Sequence, residues 1–302
     1  MNHRPDHRQI CRVIARLGVF TIMLLGAGNS FARPNLTPLG PNIADRGSAY
    51  YHFTVRQFDS ADGRRHYKVW TAIPDKAPPA SGYPLLYLLD GNAAMDKLSD
   101  DLLRQLSAGT PPVLVAVGYQ TDLPFDQLAR AYDYTPAHWR DRQNRGGREG
   151  GGSSAFRQLL TQTIAPQVEK GLPIDAQRRG LWGHSYGGLL VLDSFLSAPS
   201  FNDYFAASPS VAQDDFVLLK RLGAVTKDEA KGRRLHLLEG DGDLPRPGEE
   251  HRPDALAAVR VAVAELSDNG VGVTWQLFPG LRHGEMFPAS LRSALLQMAE
   301  VQ

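Results

Sequence analysis

The chain has 302 residues, 42% of them hydrophobic, with 33 Lys and Arg against 32 Asp and Glu and a single Cys. That is a globular composition, which excludes a fibrous repeat and wholesale disorder. A formal net charge of +1 offers no field to gather nucleic acid, one cysteine cannot close an internal disulfide, and no CxxC or HExxH spacing exists to hold zinc.

Residues 1–32 read as a leader rather than as fold. Arg4, Arg8, Arg12 and Arg16 precede an apolar stretch from Leu17 to Gly28, and Ser30-Phe31-Ala32 supplies small residues at the −3 and −1 positions of a cleavage site. The apolar stretch falls well short of the ~20 residues that span a bilayer, so a cleaved signal peptide is expected, with an uncleaved anchor as the alternative. Cys11 lies ahead of that stretch and is not a lipoprotein cysteine. Removal of residues 1–32 takes out four Arg and one Asp, leaving a cysteine-free chain of formal charge −2. Such a chain suits an oxidising compartment.

Residues 33–48, rich in Pro and Gly, read as an extended lead-in. Tyr51–Phe58 and Arg65–Ile73 alternate apolar with polar around Asp62-Gly63, which predicts a hairpin. Pro84–Leu89 and Pro112–Gly118 are unbroken apolar runs that suit central parallel strands, and Ala93–Ser107 between them has helical spacing. Phe156–Gly171 is a helix interrupted by Pro166; Arg179–Gly183 is a short strand and Gly187–Ser197 a helix. Strand Arg234–Glu239, helix Ala255–Asp268, strand Val271–Phe278 and helix Met286–Ala299 complete the pattern. Alternating strands and helices predict an α/β fold: a mostly parallel central sheet with helices on both faces, led by an antiparallel hairpin. Without an internal repeat or linker, residues 49–302 are expected to form a single domain. Asp141–Ser154 breaks the pattern, with Arg142, Arg145 and Arg148 among five glycines, and predicts a mobile connector or a cationic flap.

Gly183-His184-Ser185-Tyr186-Gly187 follows an apolar strand and opens an apolar helix, the strand–turn–helix context of a nucleophile elbow. Glycines at 183 and 187 are expected to let the turn pass its neighbours, so that Ser185 stands above the sheet as a nucleophile in an α/β-hydrolase fold. A serine needs a base, and in this fold the chain order is Ser, acid, His. Downstream histidines are His236, inside a strand, His251, at a helix start, and His283, in a turn between the last strand and the last helix. His283 is the expected base. The acid is Asp241 or Asp243, in the turn after Arg234–Glu239, or neither. Asp-x-Asp there is not a calcium loop, because Pro245 and Arg246 replace the ligand and glycine such a loop needs. Asp90-Gly91-Asn92 follows the first central strand, so the backbone N–H groups of Tyr186 and of Asn92 or a neighbour are the expected oxyanion donors.

The runs Leu86–Ala93, Val117–Thr121, Arg130–Pro136, Gly183–Gly188 and His283–Phe287 resemble esterases of the esterase-D type. More narrowly, they are similar to periplasmic trilactone-siderophore esterases that cut enterobactin and its glucosylated relatives. The resemblance spans roughly residues 50–300. It implies a serine esterase acting through an acyl-enzyme on Ser185, with His283 as base and no cofactor, any iron arriving with the substrate. It also places Arg130 beside the anionic catecholates of an iron-free or ferric ligand, the structural alternative for Arg130 being an ion pair with Asp126 or Asp133. The full triad is not assured in this group, which relies largely on the Ser–His pair. Other readings are a carboxylesterase for an acylated sugar or feruloyl conjugate and a non-catalytic siderophore binder on a hydrolase scaffold. The expected partner is a small molecule, not nucleic acid or membrane.

Overall fold

A computed structural model describes residues 37–139, 147–197, 199–243 and 254–301. The leader, its Cys11, Arg142, Arg145, Pro245, Arg246 and His251 lie outside the described residues. Those described belong to one compact unit, Pro34–Gln302.

Among the described residues, eight strands form one sheet: β1 Tyr51–Asp59, β2 His66–Pro74, β3 Tyr83–Leu88, β4 Val113–Tyr119, β5 Ile174–His184, β6 Asp203–Ala207, β7 Arg234–Gly240 and β8 Gly272–Phe278, in the order β1-β2-β4-β3-β5-β6-β7-β8. β1, β2 and β4 pair antiparallel; every pair from β4 through β3 to β8 is parallel. The described helices are α1 Ile43–Arg46, α2 Gly91–Lys97, α3 Asp100–Ala108, α4 Gln127–Tyr134, α5 Ser153–Gln158, α6 Ala165–Val168, α7 Tyr186–Phe195, α8 Val217–Gly223, α9 Ala255–Asp268 and α10 Met286–Met298.

The two central runs are unbroken because both faces of the sheet are covered. Along β3 and β4, Leu85, Tyr87, Val113, Val115 and Val117 join one core with residues of α4 to α9. Leu86, Leu88, Leu114 and Ala116 face the other, built with α1, α2, α3 and α10. Alternate side chains thus serve opposite layers, as a period of two requires.

Several boundaries depart from expectation. The helix expected over 93–107 is two helices, because Ser99 interrupts it and its hydroxyl accepts from the Leu102 N–H at 3.2 Å, capping α3. The lead-in holds a short helix, α1, closed by a capping box between Asn42 and Asp45. Before Pro166 the chain widens to a π turn over Leu159–Ile164, which accommodates the missing N–H. The described part of the glycine-rich stretch is packed down: Gly152 N–H donates to Tyr132 C=O at 2.9 Å and Gly151 N–H to Thr135 Oγ1 at 3.0 Å. A Cβ on Gly150 would strike Trp139, and one on Gly152 would strike Tyr132. There glycine serves close packing, not mobility.

Candidate active site

Ser185 ends β5 and begins α7 at φ 62 and ψ −114, outside the regions an L residue favours. Such strain costs on the order of 1–3 kcal/mol and persists only where neighbours fix it. Here Ser185 N–H donates to Ala207 C=O at 3.0 Å, its carbonyl accepts from Leu189 N–H at 3.1 Å, and Ser210 N–H approaches the same carbonyl at 3.2 Å. The turn can pass because Gly183 has no side chain: a Cβ there would lie 2.5 Å from Gly187 O. The second glycine the turn needs is Gly188 rather than the expected Gly187. A Cβ on Gly188 would lie 2.9 Å from Pro209 Cα, whereas one on Gly187 would make ordinary contacts at 3.6 Å.

The structure brings Ser185 and His283 together, with His283 Nε2 3.0 Å from Ser185 Oγ. His283 sits between β8 and α10, and its backbone is held at both ends. Its N–H donates to the Asp243 carboxylate, and its carbonyl accepts from His184 Nε2 at 2.8 Å. A carbonyl partner makes His184 Nε2 the protonated nitrogen. The two imidazoles lie 4.6 Å apart between ring centroids. Burial, His283 and Arg130 all push the His184 pKa well down, so it is a neutral donor. His283 keeps an exposed edge, yet the surrounding protein and the Arg130 charge lower its pKa, against the opposing pull of Asp243.

Neither expected acid reaches the imidazole. Asp241 accepts from Gly280 N–H at 2.5 Å and Asp243 from the main chain of His283; among the described residues no carboxylate hydrogen-bonds the His283 ring. Both aspartates shape the His283 loop instead. His236 is structural, its ring bridging Asp203 and Thr274 at 2.9 Å each and stacked on Phe205.

Tyr186, expected to offer its N–H, begins α7, with its ring edge-on to Trp139 at 5.9 Å. Asn92 is anchored to the end of β4. Its side chain accepts from Tyr119 N–H at 2.8 Å and donates to the Tyr119 and Thr121 carbonyls, and its backbone nitrogen is pressed against Gly118. Asp90 adjoins the elbow: a Cβ on Gly187 would lie 3.7 Å from Asp90 Oδ2. The Asp90 backbone is left-handed, φ 52, and its N–H donates to Tyr134 Oη at 3.1 Å.

Arg130 is not an open cation. Its side chain is 7% exposed, and its fork donates to Asp90 through Nε at 2.8 Å and Nη2 at 2.7 Å, Asp90 being 1% exposed. The partner is Asp90 rather than Asp126, which caps α4 by accepting from Leu128 and Ala129 N–H, or Asp133. Asp133 is held by Arg65, Tyr67 and Tyr119. The aromatic faces around the Arg130 guanidinium are Phe125, Tyr134 and Tyr186. Tyr132 lies under Arg65 instead.

Three residues of this site carried no usable signal in the sequence. His184 occupies a position the elbow motif leaves free, the side chain of Asp90 stood out only as the start of the expected oxyanion loop, and Ser210, whose hydroxyl lies 2.9 Å from Ser185 Oγ, stands in a segment without periodicity. Among the described residues no group of three His, Cys, Asp or Glu is placed to hold a metal ion, and no helix is long and apolar enough to cross a membrane.

The family model described as "Putative esterase" matches residues 60–298. The chain is 52% identical over 282 residues to the apo-salmochelin esterase of Escherichia coli O6:H1, covering 92% of this chain and 89% of that protein. It is 30% identical over 253 residues to the ferri-bacillibactin esterase BesA of Bacillus subtilis, covering 80% of this chain and 87% of the relative. Among solved structures, the enterobactin hydrolase IroE in complex with DFP superposes with a TM-score of 0.77 at 53% identity, covering 86% of this chain and 99% of that one.

Proposed function

The chain belongs to the esterase family, and from that premise we propose that it is a serine esterase cutting the ester bonds of a trilactone catecholate siderophore, enterobactin or a glucosylated relative. The observation that carries the chemistry is the 3.0 Å approach of His283 Nε2 to Ser185 Oγ on a strained elbow. The substrate class rests on the names of the relatives reported above, a salmochelin esterase, a bacillibactin esterase and an enterobactin hydrolase.

In this reading Ser185 Oγ attacks an ester carbonyl carbon while its proton passes to His283 Nε2. The tetrahedral oxyanion takes hydrogen bonds from the N–H groups of Tyr186 and of Asn92 or a neighbour in the Asp90–Asn92 loop. Collapse releases the alcohol, which leaves with the proton from His283. Water then attacks the acyl-enzyme with His283 as base and restores Ser185. A depressed His283 pKa keeps the imidazole neutral, and so able to accept a proton, at neutral pH. Arg130 braces the Asp90 loop through its paired guanidinium. Iron, where present, is part of the substrate. A periplasmic location after removal of residues 1–32 belongs to the same reading.

The test is mass analysis of products from iron-free and ferric enterobactin, with wild type and Ser185→Ala. Ring-opened and shorter linear products from wild type alone support the proposal; unchanged enterobactin, or equal turnover by Ser185→Ala, overturns it.

A further inference from the structure

Among the described residues, Ser185 Oγ has two polar neighbours: His283 Nε2 at 3.0 Å and Ser210 Oγ at 2.9 Å. The geometry points to Ser210 as a further catalytic residue, a hydroxyl that donates to the nucleophile oxygen in both halves of the reaction. The inference rests on the serine-esterase reading given above.

The argument is a proton count. A serine hydroxyl has one proton and two lone pairs. For His283 to act as base, that proton must point at Nε2, so the second neighbour can engage Ser185 Oγ only through a lone pair, and Ser210 must be the donor. As the proton moves to His283, negative charge grows on Ser185 Oγ before its bond to the carbonyl carbon is complete. A donor already in place is strengthened at that moment and stabilises the transition state more than the ground state. In deacylation the same oxygen is the leaving group: the carbon–Oγ bond breaks, charge returns to Oγ, and His283 returns the proton. Ser210 assists again and is neither consumed nor altered.

Ser210 is placed for this by the backbone. It follows β6, its N–H approaches the Ser185 carbonyl at 3.2 Å, and Gln213 N–H donates to its own carbonyl at 2.9 Å. Hydroxyl and main chain therefore both hold the elbow. The role has weight here because no carboxylate among the described residues backs the His283 ring, so less of the developing charge separation is stabilised at its far side.

The experiment compares wild type, Ser210→Ala, Ser210→Thr and Ser185→Ala on p-nitrophenyl acetate, reading burst rate, steady-state rate, KM and thermal unfolding. Ser210→Ala is expected to slow both burst and steady state by about ten- to a hundred-fold, the range for a hydrogen bond to a charged group, with KM and unfolding temperature little changed. Ser210→Thr, which keeps a hydroxyl, should recover much of the loss. If Ser185→Ala is dead and Ser210→Ala is within about twofold of wild type, the inference fails alone. A loss in Ser210→Ala that follows a lowered unfolding temperature and is not recovered by threonine also overturns it. Full activity in Ser185→Ala removes the serine-esterase reading itself.

Discussion

Replacing Arg130 by alanine leaves the Asp90 carboxylate in a site where its side chain is 1% exposed, without the two hydrogen bonds at 2.8 and 2.7 Å that now neutralise it. Breaking a buried pair by removing one partner costs about 3–5 kcal/mol. At roughly 2–4 °C per kcal/mol for a domain of this size class, the unfolding temperature should fall by about 6–20 °C. The site should suffer as well, because Asp90 opens the loop expected to supply an oxyanion donor and adjoins the elbow at Gly187. A displacement of about 1 Å there is enough to cost on the order of a hundredfold in turnover. Arg130→Ala should therefore lose activity toward a small neutral ester and toward the ferric siderophore alike. The double variant Arg130→Met/Asp90→Asn removes both charges and should recover part of the stability. The assay is kcat/KM on both substrates alongside thermal unfolding. An unfolding temperature within about 2 °C of wild type, with the neutral ester unaffected and the siderophore alone poorly cut, would refute the bracing role and make Arg130 a direct substrate ligand.

Asp241→Asn and Asp243→Asn should each keep turnover within about tenfold of wild type, because neither carboxylate meets the His283 ring; a fall of about 10⁴-fold in either would show a triad acid after all. Glu239, at the end of β7, is pushed up to about 8 by burial, opposed by a hydrogen bond with Ser208. Its folded state therefore holds a proton that the unfolded chain releases near pH 4.5, so stability falls as pH rises from about 4.5 to about 8. Glu239→Gln should raise the unfolding temperature clearly at pH 8 and little at pH 4.5, and an equal effect at both would contradict the assignment.

Ser185 and His283 were legible in the sequence because their signals are local: a glycine-flanked serine between strand and helix, and a histidine in the turn after the last strand. The central strands were legible for a similar reason, since burial on both faces leaves no polar residue to break the run. What failed depends on partners distant in the chain. β6 is only Asp-Tyr-Phe-Ala-Ala and owes its place to pairing with β5 and β7. The first half of β5, Ile174–Arg178, is too polar to read as strand, and α4 offers its apolar face to aromatic residues far along the chain. Arg130 read as a substrate ligand or a partner of Asp126 or Asp133, and not of Asp90, because Asp90 lies 40 residues upstream and is a non-glycine residue with positive φ that no pattern announces. The expected glycine at the elbow moved from 187 to 188 because the obstacle is Pro209, on a different strand–helix connection. The acid stayed open between Asp241, Asp243 and neither for a related reason: a carboxylate one strand away can serve a loop's main chain as readily as its imidazole.

The central claim is that Ser185 carries the acyl group, and the most direct measurement is acid-quenched intact-mass analysis of the protein mixed with enterobactin, followed by peptide mapping. Wild type should show a transient adduct with the mass of the opened trilactone on the peptide containing Ser185, and Ser185→Ala should show neither adduct nor products. Hydrolysis by wild type that proceeds with no adduct, together with retained turnover in Ser185→Ala, would contradict the account.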